Sequence, residues 1–315
     1  MADTVLVTGG HGTMGPWVTR ELRRRGARVV VLDLRAEPRF VLPDATPDLA
    51  VVGDIRDDDL VRRVLADEGV DRVVHLAAMV GEPCEADPVA AFEVNVIATA
   101  RLIAAAEAAG VRRLTANSTK GVLGPLPARY LHPTYRPVPA DHPCSPRQIY
   151  EVSKLAVERL IVAARQRGLS AAALRFTTTW GPGKSAATHA GLSFHSDLVA
   201  AARAGGEVIV DVHPDQGFDL IYYADVGSAI ADACLADGPL ASPVYQFGGG
   251  RLTRMAEFAA ALERVVPGCR IALGVRFPPG RNVLFDIELA RRDLGFEPRF
   301  DIVAALGDIV ALESD

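Results

Sequence analysis

The amino-acid sequence predicts a doubly wound α/β fold, a parallel sheet with helices on both faces and a smaller lobe towards the C-terminus. Three observations predict it. Short β-branched runs alternate with longer Ala/Leu/Arg segments through the first half, the rhythm of strand–helix–strand units. A glycine-rich turn joins the first of these runs to a helical stretch. The regularity then breaks after Phe176, where pieces rich in Gly, Pro and Arg replace the alternation.

Taken in order, strands are expected over 4–8, 28–32, 49–52, 72–76, 113–117 and 171–176, with helices near 16–25, 57–68, 88–109 and 147–167 between them. The segment 88–109 is apolar on nearly every side, which predicts burial against the sheet and against a partner subunit. Two later alternating segments, 219–222 and 244–247, read as strands returning to the first domain. The sheet domain is therefore expected over 1–176, completed by segments near 219–247, and the lobe over 177–218 and 248–315. Between Pro125 and Pro146 there are seven prolines in 22 residues, with Tyr130, His132 and Tyr135 interspersed. That density forbids a regular helix or a central strand, and a long loop in a compact domain reads as a functional lid.

The 315 residues are enough for one or two joined domains with a substantial core. Apolar residues make up 49% and charged ones 23%, ordinary globular usage that excludes a disordered chain. The net charge is −5 with no dense basic run, so nucleic acid is not an expected partner. No uninterrupted apolar stretch of about 18 to 20 residues is evident, nor a basic segment followed by an apolar one at the start, so a cytoplasmic protein without a membrane partner is expected. Cys84, Cys144, Cys234 and Cys269 lie far apart with no CxxC pair, which fits a reducing compartment and no metal site. Of the 34 basic residues only Lys120, Lys154 and Lys184 are lysine.

The first strand runs directly into TGGHGTMG, residues 8–15, and Pro16 opens a helix. Glycines at 9, 12 and 15 permit a tight turn and close backbone approach to a pyrophosphate, which the helix N-terminus then meets with N–H donors. Gly9, Gly12, Thr13, Met14 and Gly15 are thus the expected phosphate cradle of a Rossmann-type NAD site. Asp33, at the end of the next strand, suits the ribose hydroxyls of NAD; Arg35 keeps NADP possible. Asp54, Ile55, Leu76, Ala77 and Ala78 follow the third and fourth strands, where a dinucleotide lies at a topological switch point. His75 reads as a hydrogen-bonded core histidine.

The chemical signal is YEVSK, Tyr150 to Lys154, at the start of a helical segment. Residues four apart share a helix face, so the phenol and the ammonium point the same way. A neighbouring cation favours the phenolate, which would let Tyr150 accept a proton from an alcohol. The strand near 113–117 delivers Ser118 and Thr119 to the same crevice.

These pieces together resemble the extended short-chain dehydrogenase/reductase family, the NAD-dependent epimerase/dehydratase group. The matching motifs are TGGHGTMG, Asp33, Asp54, HLAA, Asn95 in EVNVIAT, NSTKGVLG, YEVSK, LRFTTTWGPG, FDLIYYADV, YQFGGG and ARRDLGFEP, spanning residue 4 to about 300. The resemblance implies a catalytic triad of Thr119, Tyr150 and Lys154, with Lys154 also on the nicotinamide ribose and Asn95 supporting the site. It extends the NAD contacts to Asn95, Asn117, Tyr150, Phe176 and Thr178, and it implies a homodimer packed through the helices near 88–109 and 147–167. The substrate-facing residues expected on this reading are Met79, Ser118, Thr119, Lys120, Thr178, Thr179, Lys184, His195 and Arg276, and the C-terminal lobe becomes a substrate lobe.

The departures from the family pattern bear on the reaction. Its 4,6-dehydratases carry Asp-Glu directly after the triad Thr, where this chain has Lys120 and Gly121, so dehydration is disfavoured. Phe218 stands where members that bind UDP-sugars usually have an Arg on the diphosphate, and Arg276 or Arg281 is the expected substitute. A sugar or nucleotide-sugar epimerase with transient hydride transfer is expected. The alternatives are an NAD-dependent dehydrogenase of a small polyol, sugar acid or hydroxy acid, and a non-catalytic NAD sensor, against which the presence of both Tyr150 and Lys154 argues.

Overall fold

A computed structural model of the protein describes residues 2–184, 194–276 and 282–312. In chain order its strands are β1 (Thr4–Thr8), β2 (Arg28–Asp33), β3 (Leu49–Val52), β4 (Arg72–His75), β5 (Arg113–Thr119), β6 (Ser170–Phe176), β7 (Thr178–Trp180), β8 (Gly206–Val210), β9 (Gly217–Tyr222), β10 (Val244–Phe247), β11 (Leu252–Arg254) and β12 (Cys269–Leu273). The helices are α1 (Gly15–Arg24), α2 (Asp58–Asp67), α3 (Glu82–Ala86), α4 (Pro88–Phe92), α5 (Ala98–Ala108), α6 (Ile149–Gln166), α7 (Phe194–Arg203), α8 (Tyr223–Leu235), α9 (Met255–Val265), α10 (Glu288–Leu294) and α11 (Ile302–Leu312).

Seven strands form one parallel sheet in the order β10-β6-β5-β4-β1-β2-β3. The chain runs outward from β1 through β2 to β3 and returns to β4 on the other side of β1, so the order reverses between β1 and β4. Ligands of open α/β sheets bind at that reversal, beyond the strand C-termini. Both faces are covered, which is why the central strands are apolar almost without interruption. On one face Val18 and Leu22 of α1 meet Ala229, Ile230 and Ala233 of α8; on the other, Val61 and Leu65 of α2, Leu102 of α5 and Ile161 of α6 pack together.

Three expectations change. Segment 244–247 does join the main sheet, as β10 beside β6, but 219–222 falls in β9, which pairs with β7 and β11 in a separate three-stranded sheet. An alternating pattern reports one buried face and cannot say which sheet supplies the neighbour. Next, 88–109 is a continuous helical run broken in register by a π turn over Glu93–Ile97. By length and composition Pro88–Ala108 is apolar enough to cross a membrane, and 44% of it is buried inside the protein. Finally, the Pro-rich stretch is a strap rather than a lid. Tyr130 and Tyr135 are buried, the Tyr135 hydroxyl accepts from the Gly217 N–H at 3.0 Å, and Val138 bridges to Phe285.

From β6 the chain crosses to the second sheet within one residue: Phe176 ends β6 and Thr178 begins β7, with Thr177 between.

Candidate active site

Two adjoining clefts open at the reversal of strand order. The first, about 280 Å³, is lined by Gly9, Gly12, Thr13, Met14, Leu76, Ala78, Asn117, Ser118, Thr119, Lys120, Tyr150, Phe176, Thr178, Thr179 and Lys184 among the expected residues. The second, about 600 Å³, shares Gly9, Gly12, Leu76 and Ala78 with it and adds Asp33, Asp54, Ile55, Ala77 and Met79. Met79, expected near substrate, therefore stands at the Asp33 end and not beside Thr119.

The glycine turn fits a dinucleotide. A Cβ on Gly9 would lie 2.6 Å from Ala77 N, and Gly9 adopts φ +70°, a region open chiefly to glycine. A Cβ on Gly15 would lie 1.9 Å from the Gly10 carbonyl oxygen, so Gly15 serves packing and does not itself line either cleft. No side chain caps α1, and Pro16 sits in its first turn, which leaves the first-turn N–H groups to an anion. At the far end the Asp33 carboxylate is fixed by the N–H groups of His11 and Arg35, both at 2.9 Å. Asp54 is gripped by the Arg56 guanidinium, with a shortest contact of 2.6 Å, which holds its carboxyl below the usual range.

At the other end, Asn117, Ser118 and Thr119 close β5. Side chains alternate along a strand, and the two hydroxyls diverge accordingly. Ser118, expected on substrate, donates to Glu158 Oε1 at 2.7 Å, and Glu158 forms a buried double contact with Arg175 at 2.8 and 2.7 Å. That hydroxyl is committed to the core. The Thr119 hydroxyl accepts the Gly121 N–H at 3.1 Å, which leaves its own proton for a ligand. Lys154 is buried and donates to Asn117 Oδ1 at 3.1 Å; it does not line either cleft. Burial lowers its pKa to about 8, against opposing pulls from Cys84 and Glu158.

Tyr150 lines the first cleft, and its phenol makes no hydrogen bond among the described residues; its backbone carbonyl accepts from Ser153 Oγ at 2.7 Å. Lys154 Nζ stands 6.0 Å from its ring. The expected lowering of the phenol's pKa by that ammonium is not what the structure has: burial pushes Tyr150 up, and the nearby Cys84 adds to it. Asn95, expected as an NAD contact, lies behind the cleft. Its amide donates to Met79 O and Ser153 Oγ, at 3.0 and 2.9 Å, and accepts from Met79 N at 2.8 Å. Both amide hydrogens are used, so Asn95 ties the loop after β4 to α6.

Two further expectations fail. His195 is buried among the rings of Phe194, Phe218 and Phe258, with centroids 5.0, 4.6 and 5.1 Å away, and does not line the cleft. Arg276 is 69% exposed and faces Asp211 at 3.6 Å. His189 and Arg281 lie outside the described residues. Tyr130, His132 and Tyr135 line neither cleft. His75 is held by Thr8 Oγ1 and Thr99 Oγ1 at 2.7 and 2.8 Å, as a core histidine. Sequence reading missed Arg39, which lines both clefts, and Tyr223, which lines the first. Arg39 carries no signal in sequence beyond its place in the loop after Asp33; Tyr223 stood within the quoted FDLIYYADV.

Comparison with known proteins adds a frame. The profile of the NAD dependent epimerase/dehydratase family matches residues 5–241. A UDP-glucose 4-epimerase from Rhizobium leguminosarum bv. trifolii is 30% identical, with 95% of this chain and 94% of that protein aligned. MoeE5, solved with UDP-glucose and NAD and with UDP-glucuronic acid and NAD, is 29% identical, covers 99% of this chain, is itself covered to 98% and 99%, and superposes with a TM-score of 0.78. TunA, an NAD dependent NDP-hexosamine 5,6-dehydratase, is 26% identical over 99% of this chain and 98% of its own, also with a TM-score of 0.78.

Proposed function

The chain belongs to the NAD-dependent epimerase/dehydratase family, and on that premise we propose that it is a sugar or nucleotide-sugar epimerase acting through transient oxidation of a carbinol carbon. The observation that carries the reading is the shared cleft. Tyr150, with its phenol unengaged, and Thr119, with its hydroxyl proton unspent, line the same space as the glycine turn.

NAD+, when bound, would supply the hydride acceptor and a positive charge. Gly9, Gly12 and the first-turn N–H groups of α1 would hold its pyrophosphate, and Asp33 would take the ribose hydroxyls. Thr119 donates to the substrate oxygen. Tyr150 accepts the hydroxyl proton, a role its burial opposes and positive charge nearby supports. Lys154, oriented by Asn117, would supply the positive charge behind Tyr150, its Nζ 6.0 Å from the ring. Gly121 and Lys120 place no carboxylate after Thr119; the room a Gly121 side chain would need is taken by Glu151, whose Cγ would lie 2.8 Å from a Cβ there. This argues for epimerisation over dehydration.

One observation favours a second reading. Phe218 packs on His195 where a diphosphate-binding Arg was expected, which supports a dehydrogenase of a small polyol, sugar acid or hydroxy acid. NADH absorbance separates the two, since stoichiometric NADH marks net oxidation and its absence during interconversion marks an epimerase. Tyr150→Phe should lower kcat by about 10²–10⁴-fold, and wild-type rates in that variant would overturn both. We also propose a cytoplasmic homodimer through α4, the π turn, α5 and α6, along which Val89, Ile97 and Val152 are exposed. A monomer mass by light scattering at working concentration would refute the dimer.

A further inference from the structure

We propose that Arg39 clamps the diphosphate of the dinucleotide from the side opposite the glycine turn. The clamp rests on the dinucleotide site and not on the reaction proposed above, so either can fail without the other.

Its position is the first ground. The two clefts meet over Gly9, Gly12, Arg39, Leu76 and Ala78, and Arg39 is the one charged residue among these described shared residues. Asn117, Thr119 and Tyr150 line only the first cleft, and Asp33, Asp54 and Ile55 only the second. A dinucleotide with ribose hydroxyls on Asp33 and its nicotinamide towards Tyr150 carries its diphosphate where the clefts join. Gly9 and Gly12 bring backbone to that junction; Arg39 brings a cation. Arg35, by contrast, lines only the second cleft, at the Asp33 end, where a ribose 2′-phosphate would lie.

The mounting of the residue is the second ground. The loop after β2 is docked onto the glycine turn and α1 on both sides of Arg39. The Arg39 N–H donates to His11 O at 2.9 Å, and His11 Nδ1 stands 2.8 Å from Arg35 O. Phe40 stacks on Trp17 of α1 with ring centroids 6.3 Å apart, and Leu42 is buried in the core. The backbone is thus held, while the Arg39 guanidinium makes no hydrogen bond or ion pair among the described residues. The residue is exposed, so its side chain comes in from the solvent side. The charged groups that act on it are Arg35 and Asp33: partial burial and the charge of Arg35 lower its pKa against the pull of Asp33, and an anion at the junction would reverse that. The first-turn N–H groups of α1 meet a diphosphate from one side only. A planar guanidinium offers paired N–H donors to the phosphate oxygens left over.

Equilibrium binding to the full-length chain tests the clamp, with NAD+, NADP+, ADP-ribose and adenosine titrated into wild type, Arg39→Gln and Arg39→Lys. ADP-ribose keeps the diphosphate and lacks the nicotinamide; adenosine lacks the diphosphate. Losing a charge-assisted hydrogen bond corresponds to roughly ten-fold or more in affinity. Arg39→Gln should weaken NAD+ and ADP-ribose alike by about that factor and leave adenosine within about two-fold, with the melting temperature of the ligand-free protein unchanged. Arg39→Lys should recover part of the loss, because it restores the charge and not the fork. Added salt should weaken NAD+ binding more in wild type than in Arg39→Gln. NAD+ and ADP-ribose affinities within about two-fold of wild type in Arg39→Gln would overturn the clamp. An equal loss for adenosine would do the same, since it puts the effect at the adenine end or in the loop's own packing. So would a loss for NADP+ well beyond that for NAD+, which puts the side chain on a 2′-phosphate, or an Arg39→Lys variant no better than Arg39→Gln.

Discussion

Ser118 and Thr119 are neighbours on β5 with similar hydroxyls and opposite employment. Ser118→Ala removes the donor to Glu158 in a buried network, so it should cost about 1–3 kcal/mol of stability and leave kcat within a few-fold. Thr119→Ala should do the converse, with kcat down by about 10²-fold and the melting temperature nearly unchanged. Chemical denaturation and steady-state kinetics on both variants check this, and a kcat loss confined to Ser118→Ala would reverse the assignment. The sequence placed both hydroxyls in the crevice because both follow a strand. Strand alternation already separates them, since Asn117 and Thr119 share a face and Ser118 does not. The deeper partners, Glu158 and Arg175, carry no mark in the sequence that they would meet, being 17 residues apart on different elements.

Helix α6 gathers more of the site than its YEVSK motif discloses. Tyr150, Lys154 and Glu158 follow at four-residue intervals down one face, reaching in turn the cleft, Asn117 and the Ser118–Arg175 network. Its first turn is capped by Glu151, which accepts the Arg147 and Gln148 N–H groups at 3.1 Å. Glu158→Ala would strand the Arg175 guanidinium in the core, a loss of about 3–5 kcal/mol. The denaturation midpoint should fall accordingly, and an unchanged midpoint would show that Ala140 O and Cys144 suffice for Arg175. The π turn over Glu93–Ile97 was not legible, because an all-round apolar helix gives no phase from which a slipped turn could be read. Its residue Asn95 was legible as important only through resemblance; the reason, a bond to Met79 and Ser153, needed the fold.

For the molecule as a whole, two buried neutral histidines set the acid limit. His75 and His195 are each lowered to about 3 from an ordinary 6.5, chiefly by burial. A group with a depressed histidine pKa binds its proton more readily when unfolded, so the stability it confers is complete above pH 6.5 and drains as pH falls towards 3. Asp219, raised by burial to about 6 from 3.8, works in the opposite direction and gains as pH falls through 6. The net is two protons taken up on unfolding against one released, a loss on the order of 1 kcal/mol per pH unit between pH 6 and 5. Urea unfolding at pH 7, 6 and 5 measures it; flat stability across that range would contradict the burial of these rings. The layering and the parallel strand–helix alternation of the main sheet were legible because each βαβ unit announces itself locally. The second sheet was not, since β7 and β11 are three residues each and meet β9 only through long-range closure.

The single-residue crossing at Thr177 has a mechanical corollary. Thr119 and Tyr150 are mounted on the main sheet and its helix, whereas Thr178 and Thr179, which seat the Lys120 and Lys184 ammoniums, already belong to the other sheet. On the proposed function, the reacting groups thus sit on one sheet and part of the cleft lining on the other. A substrate that fits must satisfy both at once, and its own length becomes the gauge that sets the spacing between them.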